Sequence, residues 1–178
     1  MPGLQWHCLP FAQVPPVMLY RMLALRTRVF VVEQACIYQD MDGKDLDALL
    51  VLGTLTAAGT DANAHDAPGA DAEVVATARL LAPGRRFAEA SIGRVCSSPA
   101  HRRRGLGRAL MNFSIRSARH HHPGSAIRIS AQAYLQSFYE SLGFKVDSAP
   151  YLEDAIPHLE MRLAPDHPGE HHDLLGWS

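Results

Sequence analysis

The sequence lacks several features that define large classes of protein. No apolar run approaches the ~20 residues needed to cross a bilayer, and the first residues lack the basic-then-apolar pattern of a secretory signal. Its three cysteines, Cys8, Cys36 and Cys96, are odd in number and far apart, so they form neither a small disulfide framework nor a Cys-x-x-Cys motif. We therefore expect a cytoplasmic protein with no membrane partner.

A strong charge of either sign is also missing. The chain has 17 Lys and Arg against 18 Asp and Glu, a formal charge of −1. General nucleic-acid binders carry an excess of positive charge, so we do not expect nucleic acid as a partner. With 178 residues and 47% hydrophobic content, the chain is long enough for one domain with a proper core. We predict a single domain over residues 1–164 and a flexible tail over residues 165–178.

Recognisable metal motifs are absent as well. A calcium-binding EF-hand loop beginning at Asp40 would need Gly at its sixth position and Glu at its twelfth, where the sequence has Asp45 and Val51. The three adjacent histidines at 120–122 would point in three directions on a helix, and a helix C-terminus suits cations without any metal. We therefore predict no metal site.

Residue spacing predicts a mixed α/β domain. Apolar residues recur with helical spacing from Met18 to Val29, and side chains alternate with strand spacing at 126–133. The region 56–72 is poor in large apolar groups, so we expect a mobile excursion there. The predicted strands are 4–10, 49–55, 73–81, 91–97, 126–133, 144–146 and 158–163; the predicted helices begin near 16, 106 and 134.

The most distinctive stretch runs from Arg102 to Arg108. Gly105 and Gly107 would let the backbone approach a ligand closely, and a helix start surrounded by arginines attracts anions. A Walker loop does not occur, and a dinucleotide fingerprint would need Gly or Ala where the chain has Leu110. On these residues alone, a phosphate-binding turn and a solvated basic turn both stay open.

Two motifs resemble those of one enzyme superfamily. Arg102, Gly105 and Gly107 fit the Arg/Gln-x-x-Gly-x-Gly/Ala signature of the GCN5-related N-acetyltransferases (GNAT), and residues 139–144 fit the later Tyr-Glu-x-x-Gly-Phe segment. Further segments are similar to the ElaA-like branch, although the 56–72 region is longer than in that branch. These segments are Leu9-Pro10-Phe11, Phe30-Val31-Val32-Glu33-Gln34, Tyr38-Gln39-Asp40-Met41-Asp42, Ile92-Gly93-Arg94-Val95, Ala131-Gln132-Ala133 and Ile156-Pro157-His158.

The resemblance implies a fold and a co-substrate. The fold would be a mixed, mostly antiparallel sheet of six to seven strands flanked by about four helices. Acetyl-CoA would bind with its pyrophosphate on the signature and its pantetheine arm along the strand before it. The residues implied to hold it are Val95, Cys96, Ser97, Arg102, Arg103, Arg104, Gly105, Leu106, Gly107, Arg108 and Gln132, which stands where the superfamily often has Asn.

The resemblance also implies catalytic roles. Tyr139 matches the usual proton donor to the leaving thiolate, although a packed aromatic residue is the alternative for it. Glu33 and His158 are two candidates for the base that takes the amine proton. Asp40 and Asp42 would form a negative rim that attracts a cationic amine. Cys96 has no evident activating His nearby in sequence, so we expect direct transfer rather than an acyl-enzyme.

Together these features predict an N-acetyltransferase that moves an acetyl group from acetyl-CoA to a primary amine of a small molecule or a protein. A non-catalytic acyl-CoA-binding sensor that uses the same phosphate-binding turn is the alternative. The final strands of the sheet offer an edge through which a homodimer would form, as in related acetyltransferases.

Overall fold

The computed structural model describes residues 3–56 and 71–165, in which eight strands form one sheet and three α-helices flank it. This confirms the predicted α/β class, with one strand more than expected. The elements are β1 Leu4–Pro10, α1 Pro16–Arg26, β2 Leu49–Leu55, β3 Glu73–Leu81, β4 Ala90–Ser97, α2 Leu106–His121, β5 Ile127–Gln132, α3 Gln136–Glu140, β6 Lys145–Val146, β7 Tyr151–Glu153 and β8 Ile156–Leu163.

The sheet has the order β1-β2-β3-β4-β5-β8-β6, and β7 pairs with β8. Every pair is antiparallel except β4 with β5, which is parallel. Two parallel strands need a crossover between them, and α2 supplies it here. The resulting β4–α2–β5 unit places the start of α2 beside the end of β4.

Helices cover both faces of the sheet. Met18 and Met22 of α1 are fully buried against one face, where Leu50 and Leu52 of β2 meet them. Val51, which lies between those two leucines in the sequence, packs on the opposite face with α2. This alternation follows from the two-residue period of a strand. The predicted apolar stripe of α1 is therefore confirmed.

The first helix does not end at Arg26 but continues as a π-helical segment, Thr27–Glu33. The backbone N–H of Gln34 closes this segment by donating to the carbonyl of Val29 at 3.2 Å. π-helical turns are rare and occur frequently at functional sites. The segment ends on Glu33, one of the two predicted bases.

Strand β7 was not predicted, because its hairpin turn lacks the usual sequence signal. Asp154 and Ala155 join β7 to β8 with φ of 51° and 63°. A tight hairpin of this kind needs positive φ at both central residues and normally uses Asn-Gly or Asp-Gly. Helix α3 is also shorter than predicted, and Gly143 after it has a φ of 92°, as expected for a helix-ending glycine.

Two predictions fall largely outside the described residues. The excursion at 56–72 lies there except at its ends, as does the tail after residue 165. The domain boundary at residue 164 stays a prediction. Across residues 3–56 and 71–165, no helix combines the length and the apolar character needed to traverse a membrane.

Candidate active site

Strands β4 and β5 separate soon after they begin. They pair only through Ala90 with Ile127 and Ser91 with Arg128. Beyond these two pairs the strands diverge, and a cavity of about 530 Å³ lies along the gap. Ligands in α/β sheets bind where neighbouring strands split at their carboxyl ends.

Strand β4 is irregular where it borders the cavity. Arg94 has a φ of 52°, and neither Arg94 nor Val95 has a ladder partner on β3. A bulge of this kind bends a strand and ends regular pairing, and bulges are common next to active sites. Val95, Cys96 and Ser97, the residues predicted to hold the pantetheine arm, all line the cavity.

Cys96 is a core residue rather than a nucleophile. Its side chain is buried among the residues that pack α1 against the sheet. Desolvation by this burial raises the pKa of its thiol to about 12, so the reactive thiolate is scarce at neutral pH. This observation favours the predicted direct transfer.

The phosphate-binding turn lies at the start of α2. Gly105 caps the helix with a φ of 76°, and Arg103 before it has a φ of 62°. A Cβ placed on Gly105 or Gly107 would meet no atom within 4 Å, so the backbone is open to a ligand on that side. The first turn of the helix carries no acidic residue. The turn therefore fits a pyrophosphate.

The side chains around this turn are mostly exposed. Arg102, Arg103, Arg104 and Arg108 all reach solvent, whereas Leu106 is buried in the core. The Arg108 guanidinium donates to the Ser141 hydroxyl at 2.8 Å, which ties α2 to the turn after α3. Arg102 and Gly107 line the cavity itself.

Glu33 and Arg102 form an ion pair across the mouth of the cavity. Two guanidinium nitrogens of Arg102 contact the two carboxylate oxygens at 2.5 and 3.0 Å. The hydrogen bond from Arg102 lowers the pKa of Glu33 and outweighs the opposing effect of burial. Glu33 is therefore a weaker base while this pair is closed.

Tyr139 lies in the cavity wall and is 7% exposed. Its ring packs edge-on against Phe138 and Phe144, with centroids 5.1 and 6.0 Å away. Among the described residues its hydroxyl has no hydrogen-bond partner. Burial raises its pKa to about 12, so the phenol keeps its proton at neutral pH.

His158 borders the cavity from β8. Its Nδ1 lies 2.8 Å from the carbonyl oxygen of Ile156. A carbonyl only accepts, so Nδ1 carries the proton in the neutral ring and Nε2 keeps a lone pair. Gln132 of β5 pairs with His158 in the sheet register, and its amide donates to the Gln34 side chain at 3.3 Å.

The three aspartates of the acidic loop, Asp40, Asp42 and Asp45, each pair with arginines. Asp40 is buried and contacts Arg26 at 2.8 Å and Arg94 at 2.7 Å. Asp42 contacts Arg79 at 2.6 Å. Burial alone would raise the pKa of Asp42, but the hydrogen bond from Arg79 holds it well below its usual value.

Asp45 completes this arginine–aspartate network, which comprises Arg26, Arg79, Arg94, Asp40, Asp42 and Asp45. Three positive and three negative charges compensate one another. Asp40 and Asp42 are thus paired with arginines within the protein, and the negative rim expected of them stays a prediction. Arg26 is fully buried, and its guanidinium contacts Asp40 and Asp45.

Sequence reasoning missed a second polar cluster, in which Arg86, Ser130 and Glu153 line the cavity and Tyr151 lies beside them. The Ser130 hydroxyl donates to Glu153 at 2.8 Å and lies 2.6 Å from the Tyr151 hydroxyl. Arg86 contacts the same carboxylate at 3.3 Å. No sequence motif connects these residues, which stand far apart in the chain.

The described residues contain no grouping of three or more His, Cys, Asp or Glu side chains able to hold a metal ion. The histidines of the tail lie outside them.

Comparison with known proteins identifies the family. A family model described as an acetyltransferase (GNAT) domain matches residues 69–165. The chain is 38% identical over 158 residues to the protein ElaA of Escherichia coli strain K12. This match covers 89% of this chain and 95% of ElaA. The chain belongs to the GNAT acetyltransferase superfamily and to its ElaA-like branch.

Solved structures agree with this family. An acyl-CoA N-acyltransferase from Pseudomonas aeruginosa, known from a crystal structure, is 39% identical to this chain. The two structures align with a TM-score of 0.77 over 90% of this chain and 99% of that one. A CoA-dependent acyl-homoserine lactone synthase solved with SAM and isopentyl-CoA shares the fold at 15% identity, with a TM-score of 0.67 over 92% of this chain and 84% of that one.

Proposed function

We propose that the protein is an acetyl-CoA-dependent N-acetyltransferase that acetylates a primary amine directly. The observation that carries this proposal is the divergence of β4 from β5, which leaves a cavity lined by Arg102 and Gly107 of the turn at 102–108 and by Tyr139. The related fold of the lactone synthase holds isopentyl-CoA, which supports an acyl-CoA in this one.

The turn at 102–108 would hold the pyrophosphate through its backbone N–H groups, helped by the exposed arginines. The backbone of Val95, Cys96 and Ser97 would hold the pantetheine arm, and Gln132 would contact it from β5. Acetyl-CoA supplies the thioester. The nitrogen of the amine forms a bond with its carbonyl carbon, and the bond between that carbon and the sulfur breaks.

Two protons move in this reaction. The amine loses one to a base, and the thiolate receives one from Tyr139. His158 suits the base better than Glu33, since its Nε2 keeps a lone pair, whereas Arg102 already occupies the Glu33 carboxylate. Glu33 could take the amine proton only if the Arg102 side chain moved away from its carboxylate.

A thiol-release assay tests this function. Acetyl-CoA would be titrated into the protein, and free CoA would then be followed over a panel of primary amines. We expect saturable binding of acetyl-CoA and turnover of at least one amine. Tight binding without turnover of any amine would reject the enzyme and favour the acyl-CoA sensor.

The base is tested by pH–rate profiles of His158→Ala and Glu33→Gln. We expect His158→Ala to lose the ascending limb of the profile, because the group that accepts the amine proton is gone, and Glu33→Gln to retain it. The reverse result would assign the base to Glu33, and an unchanged profile in both variants would reject both residues.

A further inference from the structure

The ion pair between Arg86 and Glu153 is the loosest of those made by the arginines of the cavity wall. Its two N–O distances are 3.3 and 3.4 Å. Tight charge-assisted hydrogen bonds span roughly 2.7–2.9 Å. The other cavity arginines in the described chain each have a carboxylate oxygen at 2.5 to 2.7 Å: Arg79, Arg94 and Arg102.

Both members of this pair are accessible. The side chain of Arg86 is 25% exposed and that of Glu153 is 38% exposed, whereas Arg79 of the arginine–aspartate network is 2% exposed. A ligand in the cavity can therefore reach the Arg86–Glu153 pair, whereas the guanidinium of Arg79 is almost wholly buried. Opening the accessible pair also costs little, since ion pairs open to solvent contribute little to stability.

Neutral groups hold the two charges in position. Hydroxyls of Ser130 and Tyr151 contact one oxygen of Glu153 at 2.8 and 3.4 Å. The guanidinium of Arg86 lies 5.1 Å from the centre of the Phe87 ring, a cation–π distance. Each charged group therefore keeps its place when its partner is withdrawn.

The cluster lies beside the predicted site of acetyl transfer. Ser130 is two residues before Gln132 on β5, so both project from the same face about 7 Å apart. Tyr151 stacks on the ring of His158, with centroids 6.0 Å apart. An amine bound at Glu153 would thus be near both the acyl carrier and the base.

Resting on the proposed function, we propose that the acceptor is a primary amine with an oxyanion, a carboxylate or a phosphate, close to its amino group. Glu153 binds the ammonium group and Arg86 binds the oxyanion. The ammonium first passes one proton to the base, which releases it to solvent, and the neutral amine then attacks the thioester. Such a ligand replaces one internal ion pair with two new ones and leaves no charge unpaired. Because Arg86 and Glu153 lie side by side, one small ligand can reach both when its two charges are a few bonds apart, as in an α-amino acid or O-phosphoethanolamine.

A simple amine satisfies this site less well. It would compensate Glu153 but leave the Arg86 guanidinium without its carboxylate, and a diamine would place a second cation near Arg86. Discrimination of this kind arises from the unfavourable charge left with the wrong ligand.

The test compares matched acceptors in the thiol-release assay. Amino acids would be compared with their amides, and O-phosphoethanolamine with ethanolamine. We expect at least one oxyanion-bearing acceptor to exceed its uncharged counterpart in kcat/KM by tenfold or more. A preference for amino acids over their amides would identify the oxyanion as a carboxylate, and a preference for O-phosphoethanolamine over ethanolamine would identify it as a phosphate.

Variants then assign the preference to Arg86. In Arg86→Gln the advantage should fall below about twofold, chiefly through a higher KM for the oxyanion-bearing acceptor. Arg85→Gln is the matched control, because Arg85 is the neighbouring residue but pairs with Asp47 outside the cavity lining. This variant should keep the full preference.

Two outcomes would overturn the inference. Equal turnover of charged and uncharged acceptors, insensitive to Arg86→Gln, would refute this substrate class and leave the acetyltransferase intact. Acetyl-CoA binding without turnover of any acceptor would refute the proposed function, and the substrate assignment with it.

Discussion

Replacing Tyr139 by Phe removes only the phenolic hydroxyl and keeps the ring. The ring contacts with Phe138 and Phe144 persist, and no described residue makes a hydrogen bond to the hydroxyl. Folding stability should therefore change by less than about 1 kcal/mol, because no intramolecular hydrogen bond is lost. Removing a general acid typically lowers turnover by about 10²–10⁴-fold. This corresponds to roughly 3–5 kcal/mol of activation free energy.

Three measurements would separate chemistry from structure in Tyr139→Phe. Urea unfolding would report stability, calorimetric titration the affinity for CoA, and thiol release the turnover. We expect only the turnover to fall. The raised pKa of Tyr139, about 12, also predicts that deprotonation of this phenol causes no loss of wild-type activity below about pH 11. Turnover within threefold of wild type would remove Tyr139 from the mechanism.

Two further predictions concern the ion pairs. Arg26→Met should destabilise the protein by about 3–5 kcal/mol in urea unfolding, because Asp40 keeps a buried carboxylate without this partner; a loss below about 1 kcal/mol would contradict the network's role. Glu33→Gln should tighten CoA binding about two- to fivefold by releasing Arg102, since an exposed ion pair contributes up to about 1 kcal/mol; calorimetry showing equal or weaker affinity would refute this competition.

Local patterns in the sequence predicted the elements that depend on local signals. Strands β1, β2 and β3 were predicted to the residue, since their apolar segments end at proline or at polar turns. The glycine- and arginine-containing turn at 102–108 was also recognisable, because all its residues are adjacent in the chain, and its binding of phosphate stays a prediction. Strand β7 was not, because Asp154 and Ala155 adopt positive φ without a glycine.

Contacts between distant segments were beyond such patterns. Ser130 and Glu153 meet because β5, β8 and β7 lie side by side, and Arg86 reaches them from the loop before β4. The acidic loop shows the same limit. Its composition gave the sign of the charge, whereas the arginines that neutralise it come from α1, β3 and β4. Composition alone does not reveal these partners.

The balance of the arginine–aspartate network has a consequence for how this chain can change during evolution. A substitution at Arg26 alone would leave the network with an unmatched negative charge in the interior, and one at Asp40 alone would leave an unmatched positive charge. Either intermediate would be purged before a second change restored neutrality. We therefore expect homologous sequences to keep the whole set or to replace its members in opposite-charge pairs.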